Sequence, residues 1–158
     1  MNVSILQICL IALWYCFSKI CWPFGSMGQW ATLNRPLVGG LVVGLILGNP
    51  VQGVIIGATI NIIYLGIISA GGSLPSDSGM AGVMGTAFAL IGGLDVNAAL
   101  ALAVPMGLFG SVLEVITMTG QCFLVPLADK WIDEGKANRI KLVNVWIPYV
   151  VKSVIRFA

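Results

Sequence analysis

The chain has 158 residues, of which 58% are hydrophobic and only 9% charged. A soluble domain carries about 25% charged residues to coat its surface, so this composition excludes an ordinary water-borne fold and points to a chain solvated by lipid. A net charge of +2 gives no ground for a nucleic-acid partner, and the absence of histidine excludes histidine general-base chemistry and any phosphohistidine on this polypeptide.

The apolar runs are long and continuous. They do not alternate every second residue as the strands of an outer-membrane barrel do. The expected fold is all-α: a polytopic helical membrane protein with broken or re-entrant helices.

Val3 to Phe17 forms the first apolar stretch. Its nearby base, Lys19, follows the stretch and no small-x-small cleavage site comes after it, so it reads as a retained helix, not a cleaved leader. Trp14, Tyr15, Trp22 and Trp30 suit a membrane-interface belt. Cys9, Cys16, Cys21 and Cys122 have no metal-ligand spacing and read as small apolar fillers.

Leu37 to Gly48 supplies only about 12 apolar residues, roughly 18 Å of helix, against a hydrocarbon core of about 30 Å. That piece is expected to be re-entrant, or one arm of a helix broken at Asn49–Pro50. Gly53 to Gly72 is long enough to span and carries Asn61 and Tyr64, with Ser69 near its end. A polar break, GGSLPSDSG, follows. Met80 to Leu94 is the next apolar run, and Asp95 lies in a turn. Ala98 to about Leu127 is a last long stretch, expected to be interrupted at Pro105. Residues 1–128 thus read as a transmembrane core, 129–144 as a charged cytoplasmic loop, and 145–158 as the start of a further transmembrane segment that the chain does not complete.

Between Pro36 and Ala128 there is no Lys or Arg, and the acids are Asp77, Asp95 and Glu114. The bases from Lys130 to Lys141 fit a loop retained on the cytoplasmic side, or a patch attracted to anionic lipid. Many of the 20 glycines stand four apart, as in Gly40/Gly44/Gly48 and Gly53/Gly57. Small residues at this spacing let helices approach closely in lipid. The pattern fits packing inside one bundle, or a docking face for another subunit, a second copy (homo-oligomer) included.

An Asp at the centre of a membrane helix costs about 2.5–3.5 kcal/mol on insertion scales. Asp77, in the polar break, either faces a cavity, as broken helices in transporters do, or caps the next helix from an exposed loop. With Asn61, Ser69, Ser73 and Ser76 it would offer a hydroxyl- and amide-rich surface with one anion, suited to a polyol. Asn61 either serves that surface or bonds a neighbouring helix. Glu114 reads as a coupling acid or as a residue paired with a basic tail. No Walker-type phosphate loop, metal cluster or Ser/His/Asp set is present, so no cofactor is implied.

The segment LNRPLVGGLVVGLILGNPVQGVIIGATINIIYLGIISAGGSLPSD, with ALALAVPMGLFG at Ala99–Gly110 and the ADK of the charged loop, resembles the membrane subunit IIC of the mannose/fructose/sorbose family of the bacterial phosphotransferase system. The likeness covers about 120 residues. It implies a multi-pass, sugar-conducting subunit of the bacterial cytoplasmic membrane that is not itself an enzyme. The implied partners are a IID membrane subunit and separate IIA and IIB phosphocarriers, which pass phosphoryl groups from phosphoenolpyruvate to the entering sugar. The residues carried over as sugar contacts are Asp77, Asn61, Ser69 and, more weakly, Gln52. Many relatives have an acid at the position of Asn61 and an Asp at that of Asn49. Family members are also longer, which implies a truncated product. The rival readings are a noncatalytic assembly or receptor subunit and a proton-coupled carrier using Glu114.

Overall fold

A computed structural model describes residues 3–19, 32–67 and 76–122, and five further positions, 125, 126, 130, 147 and 150. The described segments are helical, with no strand among them: α1 Ile5–Ser18, α2 Pro36–Leu47, α3 Pro50–Leu65, α4 Ser78–Gly92 and α5 Val96–Cys122. Two compact units divide the chain, Met1–Ser111 and Val112–Ala158, and their boundary falls inside α5.

Each helix end has a local cause. Pro36 and Pro50 open α2 and α3 at the first helical position, where the missing N–H has no intrahelical partner to lose. Gly48 closes α2 in the left-handed region at φ 81°, a conformation that costs an L side chain roughly 1–2 kcal/mol. The Asn49 side chain then accepts from the Gln52 N–H. The chain therefore turns back within two residues, and α2 and α3 form an antiparallel helical hairpin. The break expected at Asn49–Pro50 is there. The helix after it starts at Pro50 and ends at Leu65, about 24 Å later; the segment expected to run on to Gly72 passes out of the described residues after Ile67.

Glycine makes the hairpin close. A Cβ at Gly40 would lie 2.7 Å from Gly57 Cα, and one at Gly53 would lie 2.7 Å from Gly44 Cα. The glycine spacing in this bundle is therefore used for backbone-to-backbone packing inside it. α4 runs parallel to α2: Gly82 abuts Pro36, and a Cβ at Gly39 would come within 3.0 Å of the Val83 side chain. Within the first unit, α5 runs antiparallel to α4, with a Cβ at Gly85 falling 2.8 Å from that of Ala103. Ile56, Ile60, Tyr64, Ala81, Ala89, Ala99 and Ala103 form one buried core, and Ile11, Val43, Leu47, Val83 and Ala87 form a second. α1 lies antiparallel to α2, tied by Gln7 Nε2 donating to the Ile46 carbonyl at 2.9 Å.

The interruption expected at Pro105 is absent: α5 is one helix of 27 residues through it. Proline removes a single i→i−4 bond, and in an apolar setting the flanking backbone has no competing partner, so the helix continues. α5 is the one described helix long and apolar enough to cross a membrane; the other four are shorter apolar helices. Large apolar side chains face outward throughout, among them Ile5, Leu6 and Leu13 on α1, Ile62 and Leu65 on α3, and Val112 and Ile116 on α5. Water would penalise such a surface and lipid does not.

Candidate functional site

The antiparallel alternation brings five helix segments to one end of the first unit. They are the C-terminal ends of α1 and α3, the N-terminal ends of α2 and α4, and the Gly107–Gly110 turn of α5. Among the described residues, the buried polar side chains of Ser18, Asn34, Asp77 and Ser111 lie at this end. Asp77 is the N-cap of α4. Its Oδ1 accepts from the N–H groups of Gly79 at 3.0 Å and Met80 at 3.3 Å, satisfying two of the helix's orphan donors. The capping expected of Asp77 is present, but on a buried residue, not on an exposed loop.

Tyr15 of α1 and Lys19, the residue that caps its C-terminus, also reach the carboxylate. Lys19 Nζ donates to Asp77 Oδ1 at 2.8 Å, and the Tyr15 hydroxyl donates to Oδ2 at 2.9 Å. The side chains of the ion pair are 15% and 4% exposed. That burial matters, because a charge pair withdrawn from water is strongly penalised when one partner is removed. The Asp77 N–H donates to the Gly107 carbonyl at 2.9 Å. Glycine permits this approach: a Cβ at Gly110 would lie 2.8 Å from that of Asp77, and one at Gly107 would collide with the Tyr64 hydroxyl. Tyr64 and Ser76 share a hydrogen bond of 3.0 Å between their hydroxyls.

Not every polar atom here is partnered. The Oδ1 atoms of Asn34 and Asn61 are buried without a hydrogen bond. Asn34, in the N-R-P motif, abuts Gly79 in the first turn of α4. Asn61 stands one turn before Tyr64 on α3. Native proteins satisfy most buried polar atoms, and these two acceptors are among the exceptions in the described residues.

Of the residues singled out from sequence, the structure thus places Asp77, Ser76 and Asn61 at one end. Gln52 lies in the first turn of α3, nine residues and about 13 Å of helix rise from Asn61, at the opposite end of the hairpin. Ser69 and Ser73 lie outside the described residues, as do Cys21, Trp22 and Trp30. Asp95 caps α5 by accepting from the Ala98 N–H at 3.1 Å. Glu114 falls in the second unit. No metal-binding group of His, Cys, Asp or Glu occurs among the described residues.

Sequence reading alone missed the roles of Lys19, Tyr15 and Asn34. A signal for the first was available: Asp77 is the first acid in the chain, and Lys19 and Arg35 are the bases that precede it. An isolated buried acid calls for one of them.

An all-helical bundle with a lipid-facing exterior and a polar, partly unsatisfied end defines a membrane protein with a candidate solute site. The chain belongs to the family described as PTS system sorbose-specific IIC component, which matches residues 5–158. It is 31% identical over 145 residues to the mannose-specific EIIC component of Escherichia coli K12, covering 92% of this chain and 53% of the relative. Identity to the sorbose-specific EIIC component of Lacticaseibacillus casei is 31% over 149 residues, 94% of this chain and 51% of that one. The fructose permease IIC component of Bacillus subtilis is 28% identical over 112 residues, 71% of this chain and 42% of the relative. The chain spans about half the length of the curated relatives it matches. Among solved structures it superimposes on a chain of the mannose transporter ManYZ in complex with microcin E492, with TM-score 0.82 and 28% identity, covering 99% of this chain and 61% of that one.

Proposed function

We propose that the chain is the sugar-conducting IIC subunit of a phosphoenolpyruvate-dependent phosphotransferase permease, crossing the bacterial cytoplasmic membrane more than once. The observation that carries this reading is the polar end of the bundle, in a chain of this family. One buried carboxylate, its ammonium partner and the hydroxyls of Tyr15, Tyr64 and Ser76 meet there, and the unpartnered amide oxygens of Asn34 and Asn61 lie at the same end of an otherwise apolar set of helices. Sugar hydroxyls both donate and accept, and a neutral polyol can satisfy empty acceptors without bringing a charge into the bilayer. A polar cluster at a break between helices is also the architecture by which membrane transporters hold solutes.

The proposed sugar contacts are Asp77 and Asn61, with Ser69 as a further one. Gln52, at the hairpin turn, would act from the other end. Phosphoryl transfer falls to separate IIA and IIB proteins, and a IID subunit is the membrane partner; a second copy of the chain is a further one. Residues 1–128 would form the permease core, 129–144 a cytoplasmic loop and 145–158 the start of another span.

The test is uptake of labelled mannose, fructose and sorbose by vesicles carrying the chain with its IID, IIB and IIA partners, loaded with a cytosolic extract that supplies the upstream carriers of the phosphoryl group. Uptake that requires phosphoenolpyruvate inside and persists with an uncoupler is the expected result. Uptake that collapses with the uncoupler and ignores phosphoenolpyruvate would instead assign a proton-coupled carrier.

A further inference from the structure

The two oxygens of Asp77 are unequally occupied. Oδ1 accepts from Lys19, Gly79 and Met80, and its lone-pair capacity is filled. Among the described residues, Oδ2 accepts one bond, from the Tyr15 hydroxyl. The three Oδ1 donors have different standing from the Tyr15 donor. Two are backbone groups fixed by the first turn of α4, and the third is a full positive charge whose withdrawal would leave two uncompensated ions. The Tyr15 hydroxyl is neutral and is carried by a side chain, not by the backbone. It is also chemically the same kind of donor as a sugar hydroxyl.

We propose that Tyr15 is an internal stand-in for the sugar: its hydroxyl occupies Asp77 Oδ2 in the empty site and yields that oxygen to a hexose hydroxyl. Lys19 is the positioning residue that keeps Oδ1 engaged, so that Oδ2 stays pointed toward the exchange. This rests on the sugar-permease reading and adds to it an assignment of which atom of the aspartate is used and what vacates it. The exchange swaps one O–H···O⁻ bond for another, so the carboxylate is not left bare in the bilayer while the site is empty. It also makes the sugar compete with an intramolecular donor, which lowers its apparent affinity and favours release. Because Tyr15 lies on α1 and Lys19 caps its C-terminus, sugar entry would loosen one of the two ties between this helix end and the start of α4 while keeping the other.

The test uses the permease complex purified in detergent, with mannose as the probe, and compares the parent protein, Tyr15→Phe, Asp77→Asn and the double variant. Tyr15→Phe keeps the ring and removes only the competing donor. A hydrogen bond to a charged group is strong enough that its loss from the empty state corresponds to about tenfold tighter mannose binding. Mannose should also raise the melting temperature of Tyr15→Phe by more than it raises that of the parent. In the double variant the tightening should disappear, since it runs through the Asp77 carboxylate. A merely structural tyrosine would give unchanged or weaker binding, and either outcome overturns the proposal while leaving the permease reading intact. If the parent complex binds no hexose while remaining folded, both fall together. Tyr15→Leu, which also lacks the hydroxyl, serves where Tyr15→Phe expresses poorly.

Discussion

Asp77 illustrates how one side chain can cap a helix, hold an ion pair and line a polar cluster, with burial deciding the energetics. Its partner Lys19 is itself mostly buried, so Asp77→Ala leaves an ammonium without a counter-charge as well as an uncapped helix. The expected loss is about 3–5 kcal/mol of stability, read as a lowered melting temperature of the purified complex. Lys19→Met combined with Asp77→Asn removes both charges and keeps a capping oxygen, since Asn is as good an N-cap as Asp. The double variant is expected to melt well above either Asp77→Ala or Lys19→Met alone. A double variant no more stable than the singles would show that the pair contributes nothing through its charge. Asn61 behaves in the opposite sense. Its Oδ1 is buried without a partner, an arrangement that costs about 1–3 kcal/mol. Asn61→Leu should therefore raise thermal stability while weakening hexose binding. A variant that binds sugar as the parent does would remove Asn61 from the site.

The hairpin of α2 and α3 is built by glycine at the level of the element. Gly40→Ala places a methyl 2.7 Å from Gly57 Cα and 2.6 Å from the Gly53 carbonyl oxygen. Both neighbours are backbone, and neither can rotate away. Forcing that methyl into a packed interface costs on the order of 1–3 kcal/mol, and the upper part of the range is expected here. Gly66→Ala is the control: it lies at the C-terminal cap of α3 at φ −80° with nothing within 4 Å of an added Cβ, so its melting temperature should match the parent's. The break at Asn49–Pro50 was legible in the sequence, though not the folding of its two arms into a hairpin. The short apolar run, the Asn49–Pro50 break and the spacing of four between glycines are local signals, each tied to one backbone property. The continuity of α5 through Pro105 was not. Whether a proline ends a helix depends on what surrounds the flanking turns, and one-dimensional spacing does not encode that.

For the whole molecule, the lipid-facing exterior and the polar end carry opposite sensitivities. Substituting outward-facing positions such as Ile62 on α3 or Leu13 on α1 with another large apolar residue should leave mannose uptake by reconstituted vesicles unchanged, because lipid solvates either side chain alike. Placing Lys at Leu13, near the middle of α1, should reduce membrane insertion, since a basic residue at a helix centre costs about 2.5–3.5 kcal/mol. Inserted amounts of the two variants, compared on membranes, would check this.

Class, solvent and family were set by composition and by contiguous motifs, because hydropathy and short glycine- and proline-bearing patterns act over a few residues and need no fold to be read. Asp77 and Asn61 also stood out in one dimension, as polar groups where lipid forbids them. What only the tertiary structure decided is which groups meet. The Lys19–Asp77 pair spans 58 positions and the Tyr15 bond 62, so both exist only because antiparallel packing returns α1 to the start of α4. The same packing sends Gln52 to the far end of the hairpin. Contacts between distant positions follow from helix direction and close approach, and a linear chain carries those only after it has folded.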